Sequence, residues 1–115
     1  PPFYIGYRAL TANVSDLAAM GADPAFYLVS VSIPNGWKED VLTIISGIKA
    51  CAKQYHMDLI GGDTVSSEQL VISITVIGYV NKRAVRYRHH ARPNDIIFVT
   101  GTLGDSHTAG TLFGL

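Results

Sequence analysis

Between two runs of strand character the chain carries one strongly amphipathic stretch, in which Trp37, Val41, Ile44, Ile45, Ile48, Ala52 and Tyr55 recur at helical spacing. Before it, Phe26 to Ile33 is aromatic and β-branched and is closed by the turn Pro34-Asn35-Gly36. After it, Leu70 to Tyr79 alternates so that Leu70, Ile72, Ile74 and Val76 share one face. A helix with one apolar stripe and strands with one apolar face each need a partner layer, and packing one on the other satisfies both. Glu39 and Asp40 in the first turn of the helix and Lys53 and His56 near its end suit its dipole.

A second helix is predicted from Gly6 to Met20, with Leu10, Val14, Leu17 and Ala18 on its apolar stripe and Gly21 as its stop. Asn13 and Asp16 are three residues apart and share the shoulder of that stripe. A short strand, Asp58 to Ile60, runs into Gly61-Gly62-Asp63-Thr64, and Ser66 to Gln69 reads as a loop. Asn81 to Arg92 is basic and poorly periodic, which predicts an exposed arm before a further strand at Ile96 to Val99. This order predicts an α+β fold with helices packed on one face of a mixed sheet. A domain boundary is expected near His90, dividing the chain into residues 1–90 and 91–115.

Composition removes several classes of function. At 115 residues, with 48% hydrophobic and 16% charged, the chain is the size and character of one globular domain, not a disordered tail. Nine basic and nine acidic residues cancel, so the sequence-independent pull toward nucleic acid or anionic lipid is missing and a small-molecule partner is expected. Cys51 has no second cysteine to pair with and falls on the apolar side of the helix, as suits a packed thiol in a reducing compartment. No apolar stretch nears the roughly 20 residues that span a bilayer, and the start resembles no signal peptide, so a cytoplasmic protein is expected. The missing initial Met and the ending on Thr111-Leu112-Phe113-Gly114-Leu115 suggest a fragment.

The sharpest local signal for chemistry is a strand leading into Gly-Gly-Asp. Glycines let backbone N–H groups approach a phosphate, and the following carboxylate is a hard oxygen ligand for Mg²⁺. A lone Gly-Gly-Asp is also an ordinary hairpin turn, with Asp63 bonding its own backbone. Asp16 alone would pass for a solvated helix residue. His56, His89, His90 and His107 are scattered among unlike elements, which argues against zinc, and Trp37 suits core packing better than stacking on a ligand. Gly101-Thr102-Leu103-Gly104-Asp105-Ser106 follows the last predicted strand and opens a helix, but lacks the lysine of a P-loop. It reads equally as an anion cradle or a tight turn, and is left out of the candidate site.

Three stretches together resemble the thiamine-monophosphate kinase family. They are Gly6 to Met20, continued by Gly21-Ala22-Asp23-Pro24; Leu59-Ile60-Gly61-Gly62-Asp63-Thr64; and Ala91-Arg92-Pro93-Asn94-Asp95 through Val99-Thr100-Gly101-Thr102-Leu103-Gly104-Asp105-Ser106. That family is similar to aminoimidazole ribonucleotide synthetase and its PurM-like ATP-binding relatives. The resemblance implies an N-terminal α+β domain that dimerises through its sheet, followed by the start of a C-terminal α/β domain. It also implies ATP-dependent phosphorylation of thiamine monophosphate to the diphosphate, in a homodimer. Carried over, Asp16 and Asp63 match aspartates that hold Mg²⁺, Gly62 and Thr64 flank the phosphate-binding turn, and Asn13 orients Asp16 or a water. Arg88 is similar in placement to an arginine on the nucleotide phosphates, with Arg86 its rival.

The chain departs from the family's glycines at His90 and Asn94. Asn tolerates a left-handed backbone, whereas His90 adds bulk beside Arg88. The family's further acidic ligands lie upstream of Gly6 and its thiamine-binding residues beyond Leu115, so the fragment is expected to be inactive alone. A selenophosphate synthetase or similar ATP-using relative is the alternative within the superfamily. A dimerisation module without catalysis is the alternative of another class.

Overall fold

The computed structural model describes residues 1–99 together with Gly101 and Gly104. Its elements run α1 (Pro2–Ala19), β1 (Asp23–Ile33), α2 (Lys38–Gln54), β2 (Asp58–Ser66) and β3 (Val71–Tyr79), with a short 3-10 turn at Arg88–His90. The strands form one sheet in the order β2-β1-β3, in which β1 is parallel to β2 and antiparallel to β3. This is the mixed sheet with helices on one face that the sequence predicts.

Tyr27, Val29 and Val31 of β1 form the floor of the core, and Leu10, Val14, Ile44, Ile48, Cys51 and Ala52 lie over them from the two helices. Ile72, Ile74 and Val76 of β3 pack against the same cluster, as their alternation requires. The helices touch backbone to backbone. A Cβ on Gly6 would stand 1.9 Å from Ile44 O, and one on Gly47 1.9 Å from Phe3 O, so only glycine fits at either crossing point. Cys51 is buried there, with its Sγ 3.2 Å from Thr11 Oγ1.

Helix α1 starts four residues before the predicted Gly6, with Pro2 in its first turn, where a missing N–H costs nothing. It ends as predicted: Gly21 takes φ 74°, its N–H donates to Ala18 O and that of Ala22 to Leu17 O, both at 2.9 Å. Helix α2 closes on an analogous turn in which His56 adopts φ 54° and Met57 N–H reaches Ala52 O at 2.9 Å.

Two expectations are corrected. The strand predicted to stop at Ile60 continues through the double glycine to Ser66, because β1 offers a parallel partner along that whole length. Ile96 to Val99, predicted as a strand, is irregular and exposed, with Ile97 90% and Phe98 86% accessible. No strand among the described residues pairs with it, and an unpaired segment gains no ladder hydrogen bonds. The turn predicted at Gly101–Ser106 lies outside the described residues except for Gly101 and Gly104.

Candidate functional site

The Gly-Gly-Asp-Thr segment is strand, not turn. Pairing with β1 runs Tyr27 to Leu59 and then Leu28 to Gly61, so Ile60 is an extra residue at an irregularity in the ladder. Beyond it Gly62 pairs with Val29, Asp63 with Ser30 and Thr64 with Val31. Gly62 is required by close approach, since a Cβ there would meet Val29 O at 1.9 Å. A Cβ on Gly61 would lie 3.4 Å from Leu28 Cδ2, which puts Gly61, and with it Asp63 two residues on, on the Leu28 and Ser30 side of the sheet. That side is the one without helices. Thr64 follows Val31 toward the helical side.

Asp63 is exposed, and its Oδ1 accepts the Thr64 N–H at 2.8 Å, which leaves Oδ2 open to solvent or a ligand. Asp16 is exposed in the last full turn of α1, and α1 rests on β1 and β3, whereas β2 flanks β1 on the far side. No hydrogen bond joins the two carboxylates, and the described residues contain no group of three or more His, Cys, Asp or Glu able to hold a metal ion. Oxygen donors of the right hardness for Mg²⁺ are therefore present singly, without a closed cage. Asn13 Nδ2 donates one of its two hydrogens to Ala9 O at 2.8 Å, within its own helix.

The basic arm separates its two arginines. Arg86 donates its backbone N–H to Met20 O at 3.0 Å, which ties it to the end of the helix that carries Asp16. Arg88 opens the 3-10 turn beside an aromatic group in which Tyr87 stacks on His89 at 5.4 Å and His89 meets His90 edge-on at 4.8 Å. His90 thus fills space between rings instead of occupying a glycine's backbone conformation. Asn94 does take the left-handed backbone anticipated for it, at φ 75°, and Asp95 Oδ2 accepts the Arg92 N–H at 2.8 Å beside it.

Two tyrosines near the core have perturbed acidity. Burial, and then the charges of Asp58 and Cys51, raise Tyr27 above its ordinary value. Desolvation raises Tyr7 in the same direction, and its hydroxyl donates to Gln54. Neither faces Asp63. No helix among the described residues is long and apolar enough to cross a membrane.

The family model described as AIR synthase related protein, N-terminal domain, matches residues 1–80, which span both helices and all three strands. The chain belongs to that family. Within it, the thiamine-monophosphate kinase of Bacillus subtilis (strain 168) is 52% identical over 107 residues, 91% of this chain and 33% of that protein. A solved structure of AaThiL complexed with AMPPCP and TMP is similar at a TM-score of 0.89 and 33% identity, over 97% of this chain and 36% of that one. The thiamine-monophosphate kinase of Stenotrophomonas maltophilia K279a is similar at a TM-score of 0.87 and 39% identity, over 98% of this chain and 35% of that one. The chain spans about a third of the length of these relatives.

The sequence offers Asp63 and Thr64 as candidates but not their separation onto two faces of a strand. It does not single out Lys38, which lines a cavity with Thr64. The signal available for Lys38 is its position two residues after the Pro34-Asn35-Gly36 turn, at the start of a helix.

Proposed function

We propose that this chain is the nucleotide- and metal-binding part of a thiamine-monophosphate kinase. An oxygen of the monophosphate attacks the γ-phosphorus of ATP, ADP leaves, and thiamine diphosphate forms without a covalent enzyme intermediate. The observation that carries this reading is the likeness, over 97% of the chain, to a structure complexed with the ATP analogue AMPPCP and with TMP.

In this reading Asp63 and Asp16 would be the carboxylates that hold Mg²⁺, which would neutralise phosphate charge; within one chain they stand on separate elements, Asp63 on the helix-free side of the sheet and Asp16 on α1. Gly62 holds β2 against β1 and so fixes where Asp63 stands, while Thr64 serves the phosphates from the other face. Arg88 neutralises charge on the nucleotide, with Arg86 held close to the Asp16 end of α1 as its rival. Residues 1–90 form the ATP-binding and dimerising domain, and 91–115 open a second one.

A homodimer through the uncovered side of the sheet is supported by its apolar residues. Val71 is 52% exposed, Ile77 39% and Tyr79 64%, and Phe26 and Leu28 stand beside them on β1 without a helix above. A hydrophobic face of this kind favours a second sheet over water. A small-molecule partner, with neither nucleic acid nor membrane, agrees with the zero net charge, and a cytoplasmic setting agrees with the single buried thiol.

The test is formation of thiamine diphosphate from the monophosphate and Mg-ATP by the intact protein, together with a nucleotide titration. Asp63→Asn is expected to abolish Mg-dependent nucleotide binding. Dimers that bind no nucleotide would instead favour the dimerisation module.

A further inference from the structure

The carboxyl ends of the parallel strands β1 and β2 meet the first turn of α2 around a cavity of about 170 Å³. Ile33 and Val65 form apolar walls, and Asn35, Lys38, Thr64 and Ser66 supply the polar lining. Crevices at the carboxyl ends of parallel strands are where ligands of α/β sheets bind. The walls are held in place: Ser67 N–H donates to Ile33 O at 3.0 Å and Trp37 N–H to Pro34 O at 3.3 Å.

The electrostatics of the lining are one-sided. Lys38 is the only ionisable residue among those described that line the cavity, and no carboxylate among them accepts its ammonium. Glu39 and Asp40, in the same turn, are exposed and do not line it. Thr64 and Ser66 bring hydroxyls that rotate to donate, and Asn35 brings an amide. Helix α2 begins with no side-chain cap hydrogen bond, and Glu39 and Asp40 in its first turn already complement its dipole, so the attraction for an anion comes from Lys38 and the hydroxyls rather than from the helix end. The cavity is open to solvent, with Asn35, Lys38, Thr64 and Ser66 all exposed, and its room suits a tetrahedral oxyanion with its waters.

We infer that this cavity is an oxyanion subsite in which Lys38, Thr64, Ser66 and Asn35 hold one phosphate group. The Gly-Gly-Asp-Thr strand then serves two places at once, a cation on the open sheet face through Asp63 and a phosphate on the helical face through Thr64. The subsite itself stands without the kinase proposal; the assignment of its phosphate to a substrate rests on that proposal.

The experiment titrates the intact protein with inorganic phosphate, and separately with Mg-free ATP, by calorimetry. Lys38→Met is expected to weaken phosphate binding about tenfold, the loss of one charge-assisted hydrogen bond, with Lys38→Arg close to the unmodified protein. Ser66→Ala is expected to weaken it about threefold, the loss of one neutral hydrogen bond. If ATP weakens in parallel, the phosphate belongs to the nucleotide; if only inorganic phosphate does, the site takes the free ion, and both outcomes support it. Equal phosphate affinity in Lys38→Met and the unmodified, equally folded protein overturns the subsite, as does no phosphate binding at all. Failure of the kinase proposal has a different readout, the absence of thiamine diphosphate formation by the unmodified protein.

Discussion

β1 and β2 run side by side in parallel, yet Tyr27, Val29 and Val31 of β1 are buried while every residue of β2 except Gly61 is exposed. α1 lies against β1 and β3 and both helices share the core cluster with β1, so β1 holds the fold together and β2 takes its conformation from β1 through backbone pairing. A strand that spends no side chains on packing is free to carry chemistry on both faces. That division of labour explains why Asp63 and Thr64, adjacent in sequence, stand in unlike surroundings.

The largest loss is expected where the helices press over β1. Gly47→Ala puts a Cβ against Phe3 O and should cost about 3 kcal/mol by forcing the helices apart, read from chemical unfolding; a loss near zero would mean the crossing is loose. Next, the two strands are compared directly. Val31→Ala should cost about 2 kcal/mol, whereas Val65→Ala should change stability by less than about 0.5 kcal/mol. Equal costs would break the contrast between β1 and β2.

A smaller effect is expected from pH. The neutral form of Tyr27 is favoured in the folded chain, so below its ordinary value of 10.0 both states hold the proton and stability is unaffected. As pH rises above that, the unfolded chain releases the proton before the folded one does, and stability falls. Tyr27→Phe should flatten this alkaline decline, measured as the unfolding midpoint against pH. The smallest effect on stability is expected at the candidate site: Asp63→Asn should shift it by less than about 0.5 kcal/mol while Mg-dependent nucleotide binding is lost.

The parts of the fold that were legible in the sequence are those set by local periodicity and turn chemistry. The apolar stripe of α2, the alternation of β3 and the Gly21 stop are each dictated by residues within a turn or two of one another. The start of α1 was hidden because Gly6 interrupts the apolar stripe, although the absent side chain there is what admits Ile44's carbonyl. The extent of β2 was hidden because glycines read locally as a turn, and only Val29 and Leu28, some thirty residues earlier in the chain, make them strand. Asp63 stands out in the sequence as a candidate hard ligand after two glycines, but the face it takes depends on register, which no local pattern reports.

The supernumerary residue at Ile60 separates two alignments that would otherwise constrain each other. Upstream, Met57 is anchored beneath the end of α2; downstream, Gly62 is seated against Val29. Because Ile60 is taken up between these anchors, a one-residue change in β2 ahead of Gly62 would meet the ladder there before it reached the motif. The acid and the hydroxyl would each keep their own side of the sheet.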